Sequence, residues 1–466
     1  MPNLSKVRVR FAPSPTGNLH IGGLRAAIFN WLFARHNNGT FIIRIEDTDK
    51  ERSTKKFQDS IIDSLAWMQL VSDEPLYIQS SFEDKHKKYL QKLLIAGKAY
   101  KCYCSELELQ NRLGENCRYD QCCRERDCSS FVGSYVIRFK VPDHIKQVKF
   151  TDLIRGEIVI DRDQIDDFII ARSDGSPVYN FVVVVDDAEM RINYVIRGEE
   201  HLGNTVKQIL LYDAFEFTQP EWAHLPLILS PDGGKLSKRD GAVSVIEYKD
   251  AGYLPDALLN YLVRLGWSYG DQEIFTKEEL IKLFTLEGVG KSGAIFDIEK
   301  LNWLNGVYLR DTDSAALLDY IETTMKVPLQ QELNTWNRDI LLQAITIYKE
   351  RTRTLCGLID ELRLLYKGSI VVDAQLSDKW VVHETALHIG RLVNLLESLS
   401  LWDADLIKEL ITSYCKQAHL KLPAVAQPVR LALIGTTESP SVFQLLFLLG
   451  KNESLKRLRS FVESLG

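Results

Sequence analysis

The sequence predicts an α/β protein: a parallel sheet split by an α+β insertion and followed by an all-α C-terminal half. Three observations predict it. Strand, glycine-bearing turn, helix and second strand follow one another within residues 7–45; a cysteine-dense segment with short alternating strands interrupts the pattern from about residue 82; and helical periodicity dominates from about Asp311.

Val7, Val9 and Phe11 alternate with Arg8 and Arg10, the period-2 pattern of a strand with two unlike faces, and the run ends at Pro13. Residues 12–23 carry two prolines and three glycines. Leu24, Ala27, Ile28, Trp31 and Leu32 then recur at helical spacing until Asn38-Gly39 closes the pattern. Phe41 to Ile45 reads as the second strand, and a right-handed crossover between the two implies a parallel sheet of the nucleotide-binding kind. Phe181 to Val185 reads as a further apolar strand about 135 residues later, followed by Val195-Ile196 and a helical stretch through Leu211. The intervening insertion, 82–176, contains alternating strands at Tyr135 to Phe139 and Glu157 to Ile160. In the C-terminal half Ser439-Pro440 reads as an N-cap and first helical position, and Gly450 as the following stop. Leu455, Leu458, Val462 and Leu465 line one face of a last helix.

At 466 residues the chain exceeds what one hydrophobic core supports, and 45% hydrophobic with 26% charged residues is the makeup of a folded globular enzyme. The N-terminus lacks the apolar core of a signal peptide, and no run approaches the roughly 18 apolar residues of a membrane span. No membrane role and a cytoplasmic setting are therefore expected. A net charge of −6 gives no bulk attraction for nucleic acid, and residues 311–466 hold 17 Lys plus Arg against 19 Asp plus Glu, so any RNA contact is local. Six of the eight cysteines (102, 104, 117, 122, 123 and 128) fall in one short segment, which in a reducing compartment points to metal rather than disulfides.

The turn Ala12-Pro13-Ser14-Pro15-Thr16-Gly17-Asn18-Leu19-His20-Ile21-Gly22-Gly23 sits between strand and helix, where backbone N–H groups and the helix dipole favour an anion. His20 opens the helix, and Gly22 and Gly23 remove side chains where a nucleotide could lie. A second element, Gly233-Gly234-Lys235-Leu236-Ser237-Lys238-Arg239, places three cations in five residues on a glycine-rich loop. Singly, these fit an ordinary βα turn and a solvated surface loop. Together they form one anchor for the adenosine side of a nucleotide and one for its phosphates.

These residues carry a family resemblance. PSPTGNLHIGG resembles the first signature of class I aminoacyl-tRNA synthetases and KLSKR the second, while FIIRIEDTD, YNFVVVVDD and VIRGEEH resemble the bacterial-type glutamyl enzymes in particular. The likeness runs from about Arg8 through Ala251 and more weakly to ERTRTL (350–355) and beyond. One departure is Gly23, where the general four-residue signature ends in His.

The resemblance implies a split Rossmann-like catalytic domain (1–81 and 177–232), an acceptor-end-binding insertion (82–176), a KLSKR-loop and stem-contact region (233–310) and an α-helical anticodon-binding domain (311–466). It implies activation of L-glutamate with ATP to an adenylate, then transfer to the 3′-terminal adenosine of tRNA(Glu), releasing AMP and diphosphate. That chemistry needs positioning and charge stabilisation rather than a protein nucleophile. His20 and Lys238 fall on the phosphate, with Lys235 and Arg239 supporting; Gly22, Gly23 and Glu200 complete the ATP site, Glu200 at the ribose. Choosing glutamate over glutamine calls for guanidinium groups, which satisfy a carboxylate bidentately and are left half-paired by an amide. Arg10 and Arg197 are the candidates, assisted by Tyr179, with Glu46 accepting from the amino group and Ala12 and Ser14 lining the pocket. Val183 stands where some relatives carry Asn. Mg²⁺ follows from ATP chemistry, and a monomer is implied.

For one structural zinc ion the resemblance offers Cys102, Cys104 and Cys123, with Cys128 replacing the His that is absent at Glu125. Arg351 and Arg353 are candidate readers of single-stranded anticodon bases. Among rivals, the short glutamylating paralogue has only the catalytic half, and a glutaminyl enzyme carries β-barrel domains at its C-terminus. A compact nucleotidyltransferase needs no helical half, and a non-enzymatic relic would have a damaged signature.

Overall fold

The computed structural model describes residues 6–49, 51–114, 118–125, 133–234, 236, 244–367, 370–372 and 374–465. Two compact units emerge, one comprising Met1–Tyr248 with Pro255–Ile298 and the other Lys249–Leu254 with Glu299–Gly466.

In the first unit β1 (Arg8–Phe11) pairs in parallel with β2 (Thr40–Ile45), Val9 opposite Phe41 and Phe11 opposite Ile43. The crossover is α1 (Ile21–His36), whose Leu24, Ala27, Ile28 and Leu32 are fully buried. Gly39 is required at its exit, because a Cβ there would lie 2.6 Å from the Val7 carbonyl oxygen. β2 continues in parallel to β3 (Tyr77–Ile78).

The insertion that follows holds a small antiparallel sheet of β4 (Ala99–Cys102), β5 (Val136–Phe139) and β8 (Ile169–Ala171), and an antiparallel pair of β6 (Gln147–Asp152) with β7 (Gly156–Asp161). The expected strands at 135–139 and 157–160 are thus present, shifted by a residue at their ends. Chain order resumes with β9 (Tyr194–Gly198) and β10 (Glu221–Leu225), which pair in parallel, and β10 also pairs with β6 through Trp222 and Asp152. The insertion therefore extends the sheet in the order β7-β6-β10-β9.

One expectation fails here. Phe181 to Val185 is part of a helix, Tyr179–Glu189, and the strand is β9 instead. Four consecutive valines favour a strand locally, and every residue from Phe181 to Asp187 is buried, so no polar face exposes the helical period. Packing into the core cluster with Leu210, Leu211 and Val195 decides the conformation.

β9 abuts β1: the Asn193 N–H donates to the Arg8 carbonyl (3.1 Å) and the Arg8 N–H to Asn193 Oδ1 (2.7 Å). From β1 the chain moves outward through β2 and β3 on one side, and through β9 and β10 on the other. The reversal makes the carboxyl ends of β1 and β9 the crevice where open α/β sheets bind ligands.

In the second unit every regular element described from Glu299 onward is helical. The N-cap expected at Ser439 is Ser441, whose hydroxyl accepts from the Gln444 N–H while the Gln444 side chain returns the bond. Both serines suit a cap, but only the second has Gln three residues on. Gly450 stops the first helix as expected, at φ 76° and ψ 165° within the run Val442–Ser464.

Candidate active site

The first motif is built as its residue types require. His20 caps α1, its Nδ1 accepting from the Gly23 N–H at 3.2 Å, so a neutral ring carries its proton on Nε2. Gly22 makes room for the ring: a Cβ there would lie 3.1 Å from the imidazole. A Cβ on Gly23 would press on Leu19 at 2.9 Å.

Lys235, Lys238 and Arg239 lie outside the described residues, but both ends of their loop are placed. Gly233 turns at φ 84°, and the Leu236 N–H donates to the Ile228 carbonyl at 3.3 Å. On the far side Ser244 bridges His20 in antiparallel fashion, and the Val245 N–H donates to the Leu19 carbonyl at 2.9 Å. The loop thus returns to the residue that opens α1, some 224 positions earlier (244 − 20).

Arg10 on β1 and Arg197 on β9 occupy the penultimate positions of the two strands that flank the crevice, 4% and 6% exposed. Asp187 accepts from Arg10 Nε (3.1 and 3.2 Å) and from Arg44 Nη1 (2.6 Å), and Arg44 Nη2 reaches Glu46 at 2.9 Å. Burial alone would raise the Asp187 carboxyl, but Arg10 and Arg44 outweigh it and hold it below the ordinary range. For Glu46 burial wins over Arg44, and its carboxyl titrates high. An arriving ammonium would offset that burial. Among the described residues Asp187 alone accepts from Arg10, leaving its Nη groups for a ligand.

Arg197 donates through Nε to His224 Nε2 (3.2 Å) and through Nη2 to Thr205 Oγ1 (2.7 Å), while Nη1 is buried without a partner. Burial lowers its pKa and the charge of Arg10 lowers it further. A buried, unpaired guanidinium nitrogen costs free energy, so this corner favours an incoming acceptor, best of all a carboxylate. Tyr179 begins the helix that carries Asp187, its hydroxyl 3.4 Å from His201 Nδ1. Glu200 follows β9, and its carboxylate folds back over Gly198 into the space a Cβ there would take. Ala12 is half-buried, Ser14 exposed and Val183 buried.

Sequence reading missed Arg44, Asp187, Asp152, His224 and Thr205. The only local signal was a pair of aspartates ending an apolar run and a histidine within an apolar strand.

In the insertion Cys102, Cys104 and Cys123 bring their thiols within 4.8 Å of one another. Cys122 joins them, 3.3 Å from Cys104, and Arg112 Nη2 donates to its sulfur at 3.0 Å. Cys128 lies outside the described residues, and Glu125 pairs with Lys140 at 2.8 Å rather than with the thiols.

Residues 6–303 match the family described as tRNA synthetases class I (E and Q), catalytic domain, and 316–462 match an anticodon binding domain. The glutamate–tRNA ligase of Thermodesulfovibrio yellowstonii is 46% identical over 465 residues, covering 98% of this chain and all of its own. The chain belongs to the glutamate–tRNA ligases of class I. The corresponding ligase of Geotalea uraniireducens is 44% identical over 463 residues, covering 98% of each chain. A crystal structure of the glutamate tRNA ligase of Elizabethkingia meningosepticum in complex with its amino acid superposes with a TM-score of 0.89 at 34% identity, covering 99% of this chain and all of that one. For a glutamate–tRNA ligase, the α/β unit is the catalytic one, and the all-α unit contains the anticodon binding domain. No helix of the described residues is long and apolar enough to cross a membrane.

Proposed function

We propose that this chain joins L-glutamate to tRNA(Glu) through a glutamyl-adenylate formed from ATP, using the crevice between β1 and β9. The observation that supports this reading best is the pair of buried guanidiniums, Arg10 and Arg197, the latter with Nη1 buried without a partner, which share one electrostatic neighbourhood with the carboxylate of Glu46. Arg197 and Arg10 take the γ-carboxylate, Tyr179 assists, Glu46 takes the ammonium, and Ala12 and Ser14 line the wall. An amide would leave an N–H facing Arg197 Nη1, which is the basis for rejecting glutamine.

The α-carboxylate attacks the α-phosphate in line and diphosphate leaves. The terminal ribose hydroxyl of the RNA then attacks the adenylate carbonyl and AMP leaves. His20 Nε2–H donates to the phosphate, Gly22 and Gly23 leave space for the nucleotide, and Glu200 holds the ribose. Lys238 meets the developing charge, supported by Lys235 and Arg239. Mg²⁺ rides on the triphosphate as part of the nucleotide substrate.

The thiols of Cys102, Cys104 and Cys123 suit a structural zinc ion, with Cys128 or Cys122, the latter 3.3 Å from Cys104, as fourth ligand. Zinc would hold the insertion together without touching the reaction. Arg351 and Arg353 are proposed readers of the anticodon; Arg353 is exposed and paired with Glu299 at 2.7 Å. The working form we propose is a monomer in the cytoplasm.

The test is charging of purified glutamate and glutamine tRNAs with labelled glutamate or glutamine in the presence of ATP and Mg²⁺. Glutamate on tRNA(Glu) alone is expected. Charging of neither RNA would overturn the proposal, and glutamate on both would remove the strict choice of RNA.

A further inference from the structure

Behind Arg197 stands a buried polar chain that the proposed reaction does not use. His224 on β10 accepts at Nε2 from Arg197 Nε (3.2 Å) and lies 3.0 Å from Thr205 Oγ1. Asp152, the last residue of β6, meets His224 Nδ1 at 2.6 Å, and both side chains are 0% exposed. The Nε2 atom can accept only from a neutral ring whose proton sits on Nδ1. Asp152 Oδ2 holds the proton there, while its Oδ1 accepts from the Ile154 and Arg155 N–H groups at 3.0 and 2.9 Å. Burial lowers the His224 pKa against the pull of Asp152, which favours the neutral ring.

We propose that Asp152 and His224 are positioning residues for substrate selection: Asp152 fixes the His224 tautomer, His224 fixes the guanidinium plane of Arg197, and Nη1 is thereby aimed at the side-chain carboxylate of the amino acid. This rests on the reading of Arg197 as the γ-carboxylate anchor. It also gives the insertion a part in choosing the amino acid, because Asp152 belongs to β6 while His224 and Arg197 belong to the catalytic strands.

The chemistry predicts an unusual mutational pattern. Asp152→Asn keeps the amide oxygen for the two backbone N–H groups but presents an N–H to His224 Nδ1. The ring proton then moves to Nε2, donor against donor with Arg197. His224→Gln, by contrast, offers an amide oxygen near the Nε2 position whatever residue 152 is.

Amino-acid-dependent ATP–diphosphate exchange tests this on Asp152→Asn, His224→Ala, His224→Gln, Arg197→Ala and the Asp152→Asn/His224→Gln pair. Misdirecting a buried charged donor should raise the KM for glutamate roughly 10- to 100-fold, about 1.4–2.8 kcal/mol at 1.4 kcal/mol per decade. Asp152→Asn and His224→Ala should show that rise, with kcat and the KM for ATP nearly unchanged. His224→Gln should restore most of the affinity and make Asp152→Asn silent in its background. If Arg197→Ala raises the KM for glutamate but Asp152→Asn and His224→Ala do not, the positioning role is wrong and the pocket reading stands. If Arg197→Ala leaves that KM unchanged, the pocket reading falls and this proposal with it. Equal losses in the KM for ATP, or no rescue by His224→Gln, would mark the pair as structural and overturn the proposal.

Discussion

In the proposed amino-acid pocket the buried charges are largely balanced by the chain itself: Asp187 sits between Arg10 and Arg44, Arg44 reaches Glu46, and Asp152 backs His224. In the cysteine cluster the thiols face mostly one another, with Cys104 3.3 Å from Cys122 and 3.5 Å from Cys123. Burial and the bond to Cys122 push the Cys104 thiol well above its ordinary range. The charges of the first region are paired within the chain before any ligand arrives, and Arg197 Nη1 is left open for the proposed carboxylate. The second, on the proposed reading, would complete its bonding with a cation from outside, because thiols become strong ligands only on losing their protons. Removing a charge should therefore damage the pocket through protein stability, and damage the cluster through metal affinity.

The largest effect is expected at Asp187. Asp187→Ala leaves the guanidiniums of Arg10 and Arg44 buried, 4% and 0% exposed, without their shared counter-charge. Breaking a buried pair in this way costs about 3–5 kcal/mol. Urea unfolding monitored in the catalytic unit should show the loss. A midpoint within error of the parent would mean that solvent or Glu46 compensates the two cations, and the contrast with the cluster would disappear.

How much of this was legible follows from distance along the chain. β1, α1 and β2 could be read because turn, cap and period agree within residues 7–45, and the structure keeps all three. The helix Tyr179–Glu189 could not, since its valine-rich run, buried from Phe181 to Asp187, carries a strand's composition and no helical stripe. Arg10 and Arg197 were visible through their surrounding strings. Asp187 was not, because its partner Arg10 is 177 residues away, and the Asp152–His224 bond spans 72. Such pairings exist only once the sheet has assembled. Cys122 was seen as part of a cluster, yet its place 3.3 Å from Cys104 needed coordinates.

A smaller effect, and one that sharpens the contrast, is expected at Arg112. Its guanidinium donates to Cys122 Sγ at 3.0 Å and to Asp120 Oδ1 at 3.1 Å, an arrangement that would favour thiolate and orient it toward a metal. Arg112→Ala should weaken zinc binding about 10- to 100-fold in competition with a chromogenic chelator, as loss of outer-shell partners generally does. Glutamate activation should persist, since the cluster lies in the insertion. Unchanged zinc affinity would show that the arginine only decorates the surface, and metal-free protein with an intact insertion would show that the thiols need no cation.

The smallest effect should come from the helical unit, where charges meet in water. Arg353 and Glu299 pair at 2.7 Å with side chains 60% and 70% exposed. An ion pair in that setting contributes about 0–1 kcal/mol, so Arg353→Ala should leave the unfolding midpoint nearly unmoved. If Arg353 reads an anticodon base, the same substitution should cost about 1–3 kcal/mol in RNA recognition, seen as a higher KM for tRNA with an unchanged KM for glutamate. An exposed arginine with almost no structural worth but a clear effect on tRNA would be the inverse of Asp187. Equal charging by parent and variant at limiting tRNA would instead assign Arg353 to its bond with Glu299 and leave Arg351 as the remaining candidate reader.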